Sequence, residues 1–234
     1  MEEKKAGCLL CGEELVYTEN RIPARCQYCG EEHETNVQCP QGHYVCDKCH
    51  GSSAMDIIQT SCTETKSTNP LLIMETLMRH PSVHMHGPEH HFLVPAVLLA
   101  AYYNKVDEGE KKEGKMAEAR KRSEKVLGGF CGSHGTCGAA IGTGIFMSLI
   151  TDSTPLAEEE WQISNMLTAR CLTKIAEAGG PRCCKRDSYL AIGETIVFLK
   201  ERFGVELEEG KVECSFSSLN KQCLLTDCQY HAGN

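Results

Sequence analysis

Sixteen cysteines in a chain of 234 residues constrain this protein more than any other feature of its sequence. The opening residues contain no apolar segment of the kind found in secretion signals, so we expect a cytoplasmic location. Because the cytoplasm is reducing, cysteines there rarely pair as disulfides and more often bind metals or react as thiols. The thiols fall into two groups, eight within residues 8–62 and eight within residues 131–228.

The overall composition excludes several classes of protein. The formal net charge is −8, whereas nucleic-acid binding normally needs a basic face. The longest apolar stretch, residues 92–103, is far shorter than the roughly 20 residues of a membrane-spanning helix. Hydrophobic residues make up 41% and charged residues 24% of the chain, as in ordinary globular proteins. We therefore expect a globular chain that contacts neither membranes nor nucleic acids.

The amino-terminal cysteines have the spacing of zinc ligands. Two Cys-x2-Cys pairs are each followed by glycine, which permits the tight turn of a zinc knuckle. A third block, Cys-x3-His-x2-Cys-x2-Cys, supplies four more ligands. The predicted zinc ligands are Cys8, Cys11, Cys26, Cys29, Cys39, His43, Cys46 and Cys49. Eight ligands suffice for two closed tetrahedral sites, which predicts a small zinc-ribbon or RING-like domain over residues 1–62.

The order of these ligands leaves their pairing open. Sequential pairing gives one site of four cysteines and one of three cysteines with a histidine. Interleaved pairing, as in RING-like cross-brace domains, joins the first ligand pair to the third. Structural zinc is the main expectation for these sites, and an iron–sulfur cluster at one of them is the alternative.

The rest of the chain, residues 69–234, has the periodicity of a mainly α-helical domain. Asn69 and Pro70 form a helix start, with asparagine as the cap and proline at the first helical position. A Ser/Thr-rich linker, residues 61–68, precedes this domain. The predicted helices run from residue 69 to before residue 81, near 95–104, and over 108–127, 137–150, 158–178 and 187–203, followed by a short hairpin of residues 205–208 and 211–216. The glycines of residues 137–150 indicate a helix that packs very closely against a neighbour.

Four histidines and a carboxylate lie within residues 84–91. Pro88 cannot occupy a helix interior, which argues against the H-x-x-E-H protease pattern that His86, Glu89 and His90 formally match. A helix that starts near Pro88 instead presents the carboxylate and the imidazoles at its amino terminus. The candidate metal ligands or proton carriers are His86, Glu89, His90 and His91. The alternative is that these imidazoles only cap the helix.

The carboxy-terminal cysteines lie mostly in loops and at helix starts. Cys137 begins a helix, where the helix dipole is expected to lower the pKa of its thiol. Three cations close to the vicinal pair Cys183 and Cys184 are expected to favour thiolates or to hold an anion. The candidate redox thiols, ligands or catalytic groups are Cys131, His134, Cys137, Cys183 and Cys184, and the cations are Arg182, Lys185 and Arg186. Four thiols from this part of the chain can hold a [4Fe–4S] cluster, although not at the usual ferredoxin spacing.

Three further cysteines, Cys214, Cys223 and Cys228, follow the last predicted helix. They lack one ligand for a four-coordinate centre, so a site built from them needs a ligand from elsewhere in the chain. Cys171 has a different setting, because it lies on the apolar face of a predicted helix. We expect it to be buried as a small hydrophobic residue.

Four sequence blocks are distinctive: residues 39–50, 86–91 (His-Gly-Pro-Glu-His-His), 129–139 and 179–186 (Gly-Gly-Pro-Arg-Cys-Cys-Lys-Arg). Together they resemble an uncharacterised cysteine-rich family of anaerobic bacteria and methanogenic archaea, whose members stand alone or follow radical-SAM or methyltransferase modules. The resemblance covers nearly the whole chain and implies a partner of that kind, but no established activity. Cys137, Gly138 and Ala139 are more loosely similar to redox-associated proteins named for a C–GCAxxG–C–C pattern. That family has a cysteine where this chain has His90 and His91, so the ligands of any shared cluster differ.

Three functions are consistent with these features. The first is a metalloprotein with structural zinc and a Cys/His metal or iron–sulfur site, active in the redox, sulfur or metallocofactor-assembly chemistry of anaerobes. The second is a zinc-stabilised interaction module that docks a methyltransferase or radical-SAM protein without catalysis of its own. The third is a cofactor-free thiol enzyme that acts through Cys137.

Overall fold

The computed structural model describes residues 7–233, and these are folded mainly into α-helices. Two strands come first, β1 (Val16–Arg25) and β2 (Glu32–Gln38). The helices are α1 (Asp47–His50), α2 (Ala54–Glu64), α3 (Pro70–Met78), α4 (Glu89–Lys105), α5 (Lys112–Ser123), α6 (Phe130–Ser133), α7 (Gly138–Ile150), α8 (Glu159–Glu177) and α9 (Cys184–Phe203). The predicted fold class is confirmed: the chain is mainly α-helical, with a small cysteine-rich part before the helices.

The cysteine-rich part, residues 7–53, is called the amino-terminal module below. Its strands form an antiparallel hairpin whose turn carries Cys26 and Cys29. Gly30, in the same turn, has a φ of +70°, a conformation that glycine adopts without strain. At the open end of the hairpin Val16 pairs with Gln38, so the residues after β2 return to the residues that precede β1.

Hydrogen bonds join the amino-terminal module to the end of α3. Arg79 Nη1 donates to Leu10 O at 2.6 Å. His80 Nε2–H donates to Cys49 O at 2.9 Å, and Ser82 N–H fixes this tautomer by donating to His80 Nδ1 at 3.2 Å. The helices therefore hold the module through backbone carbonyls that lie at or near predicted zinc ligands.

Helix α4 forms the centre of the helical domain and packs against α2, α3, α5, α7 and α9. It contains Pro95, which has no N–H to donate to His91 O one turn earlier. Ser123 Oγ of α5 donates to that carbonyl at 3.1 Å instead. The proline is tolerated in the helix because a neighbouring helix satisfies the acceptor that it leaves free.

Close approach between α4 and α7 depends on glycines of α7, as the sequence predicts. A Cβ added to Gly142 would lie 2.9 Å from Pro95 Cδ and 3.2 Å from His91 O. A Cβ added to Gly138 would collide with the ring of His91. The two helices thus meet where one of them has no side chains.

Replacing Gly142 by alanine is expected to lower the free energy of unfolding by about 1–3 kcal/mol, the usual cost of overpacking a core. The added methyl group would meet a proline ring and a backbone carbonyl, neither of which can turn aside. The matched control is Gly193→Ala in α9, where an added Cβ meets nothing within 4 Å. This control should stabilise the protein by about 0.5–1 kcal/mol through helix propensity. Urea unfolding compares the two variants, and equal midpoints would contradict the close packing of α4 and α7.

Several predicted helix features are confirmed. Asn69 caps α3, since its Oδ1 accepts a hydrogen bond from Leu72 N–H at 3.0 Å, and Pro70 takes the first helical position. The charged segment forms α5, whose ion pairs follow the i,i+4 spacing. Arg122 Nε, for example, lies 2.9 Å from Glu118 Oε1.

Two predicted boundaries are wrong. Residues 61–64 belong to α2 and not to a linker. Their serine and threonine content suggested an exposed connection, but Ser61 is buried and its Oγ donates to Tyr28 O at 2.8 Å. Helix α9 begins earlier than predicted, at Cys184, because Cys183 caps it.

The carboxy-terminal segment, residues 204–233, has little regular structure. The predicted hairpin of residues 205–208 and 211–216 is wrong, since neither stretch forms a strand. Cys214 N–H donates to Tyr230 O at 2.7 Å instead, which folds the segment back on itself. Its short helical turns are the 3-10 turns Ser217–Leu219 and Leu225–Asp227.

Candidate metal centres

Four ligand side chains of the amino-terminal module converge on one point, called the mixed site below. They are Cys8, Cys11, Cys39 and His43, whose ligand atoms all lie within 4.8 Å of one another. His43 Nδ1 lies 3.7 Å from Cys8 Sγ and 3.7 Å from Cys39 Sγ. Cys11 Sγ lies 3.4 Å from Cys39 Sγ. These distances suit four ligands around a single tetrahedral ion.

The all-cysteine site consists of Cys26, Cys29, Cys46 and Cys49, again with all ligand atoms within 4.8 Å of one another. All four residues are buried, and Cys29 Sγ lies 3.9 Å from Cys46 Sγ. Both sites can hold a metal ion. Their donors, soft thiolates with at most one imidazole in a closed tetrahedral set, fit structural zinc.

The two sites are interleaved along the chain, as in a cross-brace, and sequential pairing is wrong. The hairpin explains this arrangement. Cys26 and Cys29 sit at its turn, while Cys39 directly follows the end of β2, beside the start of β1. Cys39 is therefore returned to the first ligand pair, and the last pair, in and before α1, closes the site at the turn.

Backbone N–H groups point at sulfur atoms in both sites. Gln41 N–H donates to Cys39 Sγ at 3.4 Å, and Cys46 N–H donates to Cys26 Sγ at 3.4 Å. Burial acts to raise the pKa of Cys39 and Cys26, but these N–H donors and the neighbouring thiols outweigh it, so both pKa values are lowered. One thiol of each site thus favours the thiolate form that metal binding requires, whereas burial and neighbouring thiols raise the pKa of Cys29 and Cys49.

A second concentration of ligating side chains lies where the amino-terminal ends of α4, α7 and α9 meet. It is called the polar centre below and comprises His86, Glu89, His90, Cys137, Cys184 and Asp187. Helices α7 and α9 meet here because Cys137 Sγ–H donates to Asp187 Oδ2 at 3.9 Å. The loop before α4 joins them, since the Gly87 N–H donates to Cys184. Burial raises the pKa of Cys184, and this donor opposes the rise without cancelling it.

Glu89 organises the loop that enters α4. Its Oε1 accepts a hydrogen bond from His84 N–H at 2.8 Å and lies 3.2 Å from His84 Nδ1. Gly87 has no room for a side chain, because a Cβ there would collide with the Glu89 carboxylate. The carboxylate therefore positions the turn that carries the neighbouring histidines.

His90 is 1% exposed and offers one free ring nitrogen. Its Nδ1–H donates to Gly87 O at 3.2 Å, while Nε2 is buried and has no hydrogen-bond partner in the described part of the chain. Burial lowers the pKa of His90 to about 3, so the ring is neutral. In a metal-ligating histidine, one ring nitrogen donates its N–H to a carbonyl while the lone pair of the other nitrogen binds the metal, and His90 has this arrangement.

His86 repeats this pattern on the other side of Gly87. Its Nε2 lies 3.2 Å from Asn220 Oδ1. Its Nδ1 is buried without a partner among residues 7–233. Two buried ring nitrogens thus lack partners, one in the loop before α4 and one in its first turn, which fits a bound ion or group at the polar centre.

The predicted lowering of the Cys137 pKa is wrong. Burial raises the pKa of Cys137 to about 12, and the neighbouring Asp187 carboxylate adds to the rise. The N–H groups of Ala139 and Ala140, at the helix start, act in the opposite direction but are outweighed. Burial likewise raises the pKa of Cys183 to about 11. Without a metal, both residues are therefore protonated thiols at neutral pH.

The cations beside the cysteine pair do not form an open anion site. Lys185 is buried, and its Nζ donates to Met78 O at 3.1 Å. Arg186 Nη2 donates to Gly179 O at 2.8 Å. Arg182 is exposed. The predicted anion binding by these three residues is therefore not supported, because two of them are bound to backbone carbonyls.

The vicinal cysteines point into different environments. Cys184 lies in the polar centre. Burial raises the pKa of Cys184, and the nearby charges of Asp187 and Cys131 raise it further. Cys183 instead lines a cavity together with Cys214, Cys223 and Cys228. The structure therefore divides the carboxy-terminal thiols into two groups that the sequence did not separate.

Other predicted site residues lie outside the polar centre. His91 Nδ1–H donates to Val126 O at 2.9 Å, and its ring packs against α7. His134 is exposed, with Nδ1 2.8 Å from Ser133 Oγ. Cys171 is fully buried, as predicted for a small hydrophobic residue.

Two residues of these centres were not predicted from the sequence. Asp187 is 3% exposed and pairs with Arg186, whose Nε donates to Asp187 Oδ1 at 3.1 Å. Its position in the first turn of a helix after two cysteines was the only signal available. Asn220 gave no signal, because its contacts with His86 and Cys183 join residues far apart in the chain.

The fold and the sites together define a cysteine-rich helical protein whose amino-terminal module has two sites that can hold a metal ion. The chain belongs to a family of unknown function (DUF5714), whose model matches residues 58–231. The matched region contains the polar centre and excludes all eight ligands of the amino-terminal module. Searches of curated proteins and of solved structures returned no match. Among the described residues, no helix has the length and apolar character needed to cross a membrane.

Proposed function

We propose that this chain is a cytoplasmic metalloprotein in which zinc stabilises the amino-terminal module and the polar centre binds a further metal or iron–sulfur centre. Its work would be redox, sulfur or metallocofactor-assembly chemistry. One observation carries the proposal: His86 Nδ1 and His90 Nε2 are buried without partners in the described chain, on either side of Gly87, whose N–H donates to Cys184. Thiolate and imidazole together are ligands for zinc, iron and copper.

A metal centre accounts for the thiols better than a cofactor-free thiol enzyme. Burial raises the pKa of Cys137 to about 12, so the free thiol is a weak nucleophile at neutral pH. A coordinated thiol is deprotonated outright by the ion. When bound, such a centre supplies electron transfer or polarisation of a ligand.

The surrounding residues hold the proposed ligands in place. Gly87 acts twice, since its carbonyl fixes the His90 ring and its N–H donates to Cys184. Asp187 Oδ2, which accepts from the Cys137 thiol, is placed to take the thiol proton when the thiolate forms. Each ligand of the polar centre is thus oriented by a second group, as in known metal sites.

Anaerobic purification followed by zinc, iron and acid-labile sulfide analysis tests this proposal. We expect about two zinc ions per chain, one for each four-ligand site of the module, and a further metal. Cys137→Ser and His90→Gln should lose the further metal and keep the zinc. The matched control is Cys171→Ser, a buried thiol outside the polar centre, which should lose neither. Cys137→Ser and His90→Gln variants with the full metal content of the wild type would refute the polar centre as a metal site.

A second candidate function is the docking of a protein partner. It is favoured by exposed apolar side chains in and before α8, where Trp161 is 51% exposed and Leu156 is 94% exposed. The proposed partner is a radical-SAM or methyltransferase protein. Calorimetric titration with such a purified protein should show binding that Trp161→Ala weakens, and a protein with zinc but no other metal would leave this function as the better one.

A further inference from the structure

Four cysteines from two distant parts of the chain surround one space. Cys183 lies at the start of α9, and Cys214, Cys223 and Cys228 come from the carboxy-terminal segment. The space between them is open to solvent. The segment that contributes three of these thiols has little regular structure to hold it in place.

Backbone N–H groups donate to two of these sulfur atoms in the geometry of the metal-binding module. Phe216 N–H donates to Cys214 Sγ at 3.4 Å, and Leu225 N–H donates to Cys223 Sγ at 3.4 Å. In each pair the donor is two residues after the cysteine, as for the N–H that donates to Cys39 Sγ at 3.4 Å in the mixed site. The same local turn thus recurs where no regular element requires it.

Cys183 receives two further donors. Arg186 N–H donates to Cys183 Sγ at 3.5 Å, and Asn220 Nδ2 donates to it at 3.6 Å. Gln222 N–H donates to Asn220 Oδ1 at 3.0 Å, which orients the amide so that its nitrogen faces the sulfur. Sulfur atoms with several N–H donors are typical of iron–sulfur sites, where these bonds tune the reduction potential.

The wall of the cavity offers one unused hydrogen-bond donor. Tyr189 lies in this wall, and its buried hydroxyl has no partner among the described residues. A bound cluster would therefore be offered a free O–H donor.

No three of the four thiols are as close together as the ligands of the two module sites. Among residues 7–233, the groups whose ligand atoms lie within 4.8 Å of one another include both module sites but no three of these four cysteines. In a cubane cluster each cysteine binds a different iron, so its ligands stand further apart than the ligands of one ion.

We propose that Cys183, Cys214, Cys223 and Cys228 hold a [4Fe–4S] cluster that ties the carboxy-terminal segment to the start of α9. This proposal does not depend on the proposal for the polar centre, although Asn220 contacts both Cys183 and His86. The cluster would do for this segment what zinc does for the amino-terminal module, namely fix a stretch of chain with a small apolar core.

Iron and sulfide analysis of full-length protein purified without oxygen tests this assignment. We expect about four iron and four sulfide ions per chain at this site. Cys214→Ser and Cys223→Ser should lose them while the zinc of the amino-terminal module and the circular dichroism of the helices remain, which also shows that the variants fold. Cys62→Ser, a buried cysteine outside every site, should keep both metals.

Two results would overturn the assignment. One is iron that persists in Cys214→Ser and Cys223→Ser, and the other is loss of a zinc ion in these variants, which would mean a single-ion site. The proposal for the polar centre fails separately. Metal lost in Cys137→Ser but not in Cys214→Ser supports the polar centre alone, and the reverse result supports this cluster alone.

A conservative variant provides a second readout. Asn220→Ala removes one N–H donor to Cys183 and leaves all four thiols in place. The variant should keep its iron, and the midpoint potential of the cluster should fall, because the reduced cluster loses a hydrogen bond. A cluster with an unchanged potential would not be seated on Cys183, and the assignment would be wrong.

Discussion

Replacing Cys8 and Cys39 together by serine is expected to remove one zinc ion per chain, whereas replacing Cys8 and Cys26 together is expected to remove both. Cys8 and Cys39 belong to the mixed site, and Cys26 belongs to the all-cysteine site. Sequential pairing predicts the opposite ranking, because it places Cys8 and Cys26 in one site and Cys39 in the other. Zinc analysis of the two purified double variants distinguishes these arrangements.

The accompanying loss of structure should be large and local. Structural zinc contributes about 10–16 kcal/mol to folding in zinc-finger peptides, far more than one side chain contributes to a core. Loss of both ions should therefore unfold residues 7–53, which limited proteolysis detects, while the helices around α4 keep their circular dichroism. The control Cys62→Ser changes a buried thiol of α2 and should keep both ions. A Cys8/Cys39 variant with less zinc than the Cys8/Cys26 variant would contradict the cross-brace.

Removing the carboxylate of Asp187 is expected to lower the free energy of unfolding by about 3–5 kcal/mol, the cost of leaving one member of a buried ion pair unpaired. Arg186 and Asp187 are 5% and 3% exposed, and their side chains are joined by the Nε–Oδ1 hydrogen bond. In Asp187→Ala the guanidinium keeps its bonds to Gly179 O and Pro181 O but loses its counter-charge. Urea unfolding followed by circular dichroism measures the effect.

The control for this prediction is an exposed ion pair. Lys200 Nζ lies 2.9 Å from Glu206 Oε1, but the Glu206 side chain is 66% exposed. Glu206→Ala should therefore cost far less stability than Asp187→Ala, because ion pairs on the surface contribute little. If the two variants lost the same stability, the carbonyls alone would satisfy Arg186 and the buried pair would not stabilise the fold.

Much of the fold could be predicted because its signals are local. Asn69 and Pro70 indicate the start of α3, because helix capping depends only on residues that are close in sequence. The glycines of α7 indicated close packing, although the sequence did not show that α7 packs against Pro95 and His91 of α4. The hairpin of β1 and β2 was missed, since its strands are largely exposed and show little hydrophobic alternation.

The sequence predicted which residues belong to the candidate sites, but not which of them lie together. Cys183 and Cys184 were assigned to one centre because they are adjacent in sequence. The structure separates them, since successive residues at a helix start point about 100° apart around its axis. Lys185 and Arg186 were expected to face an anion, but their donors go to backbone carbonyls that come from other parts of the chain or from the preceding loop.

The sequence by itself determined which side chains can bind metal in the amino-terminal module, because ligand type and Cys-x2-Cys spacing are local properties. It also determined that the rest of the chain is helical, through caps and periodicity. Only the tertiary structure decided how the ligands pair, which thiols share a cavity and how strongly burial raises the pKa of Cys137. Those properties depend on distances between residues far apart in the chain and on exclusion of water, and both arise only when the helices and the hairpin pack together.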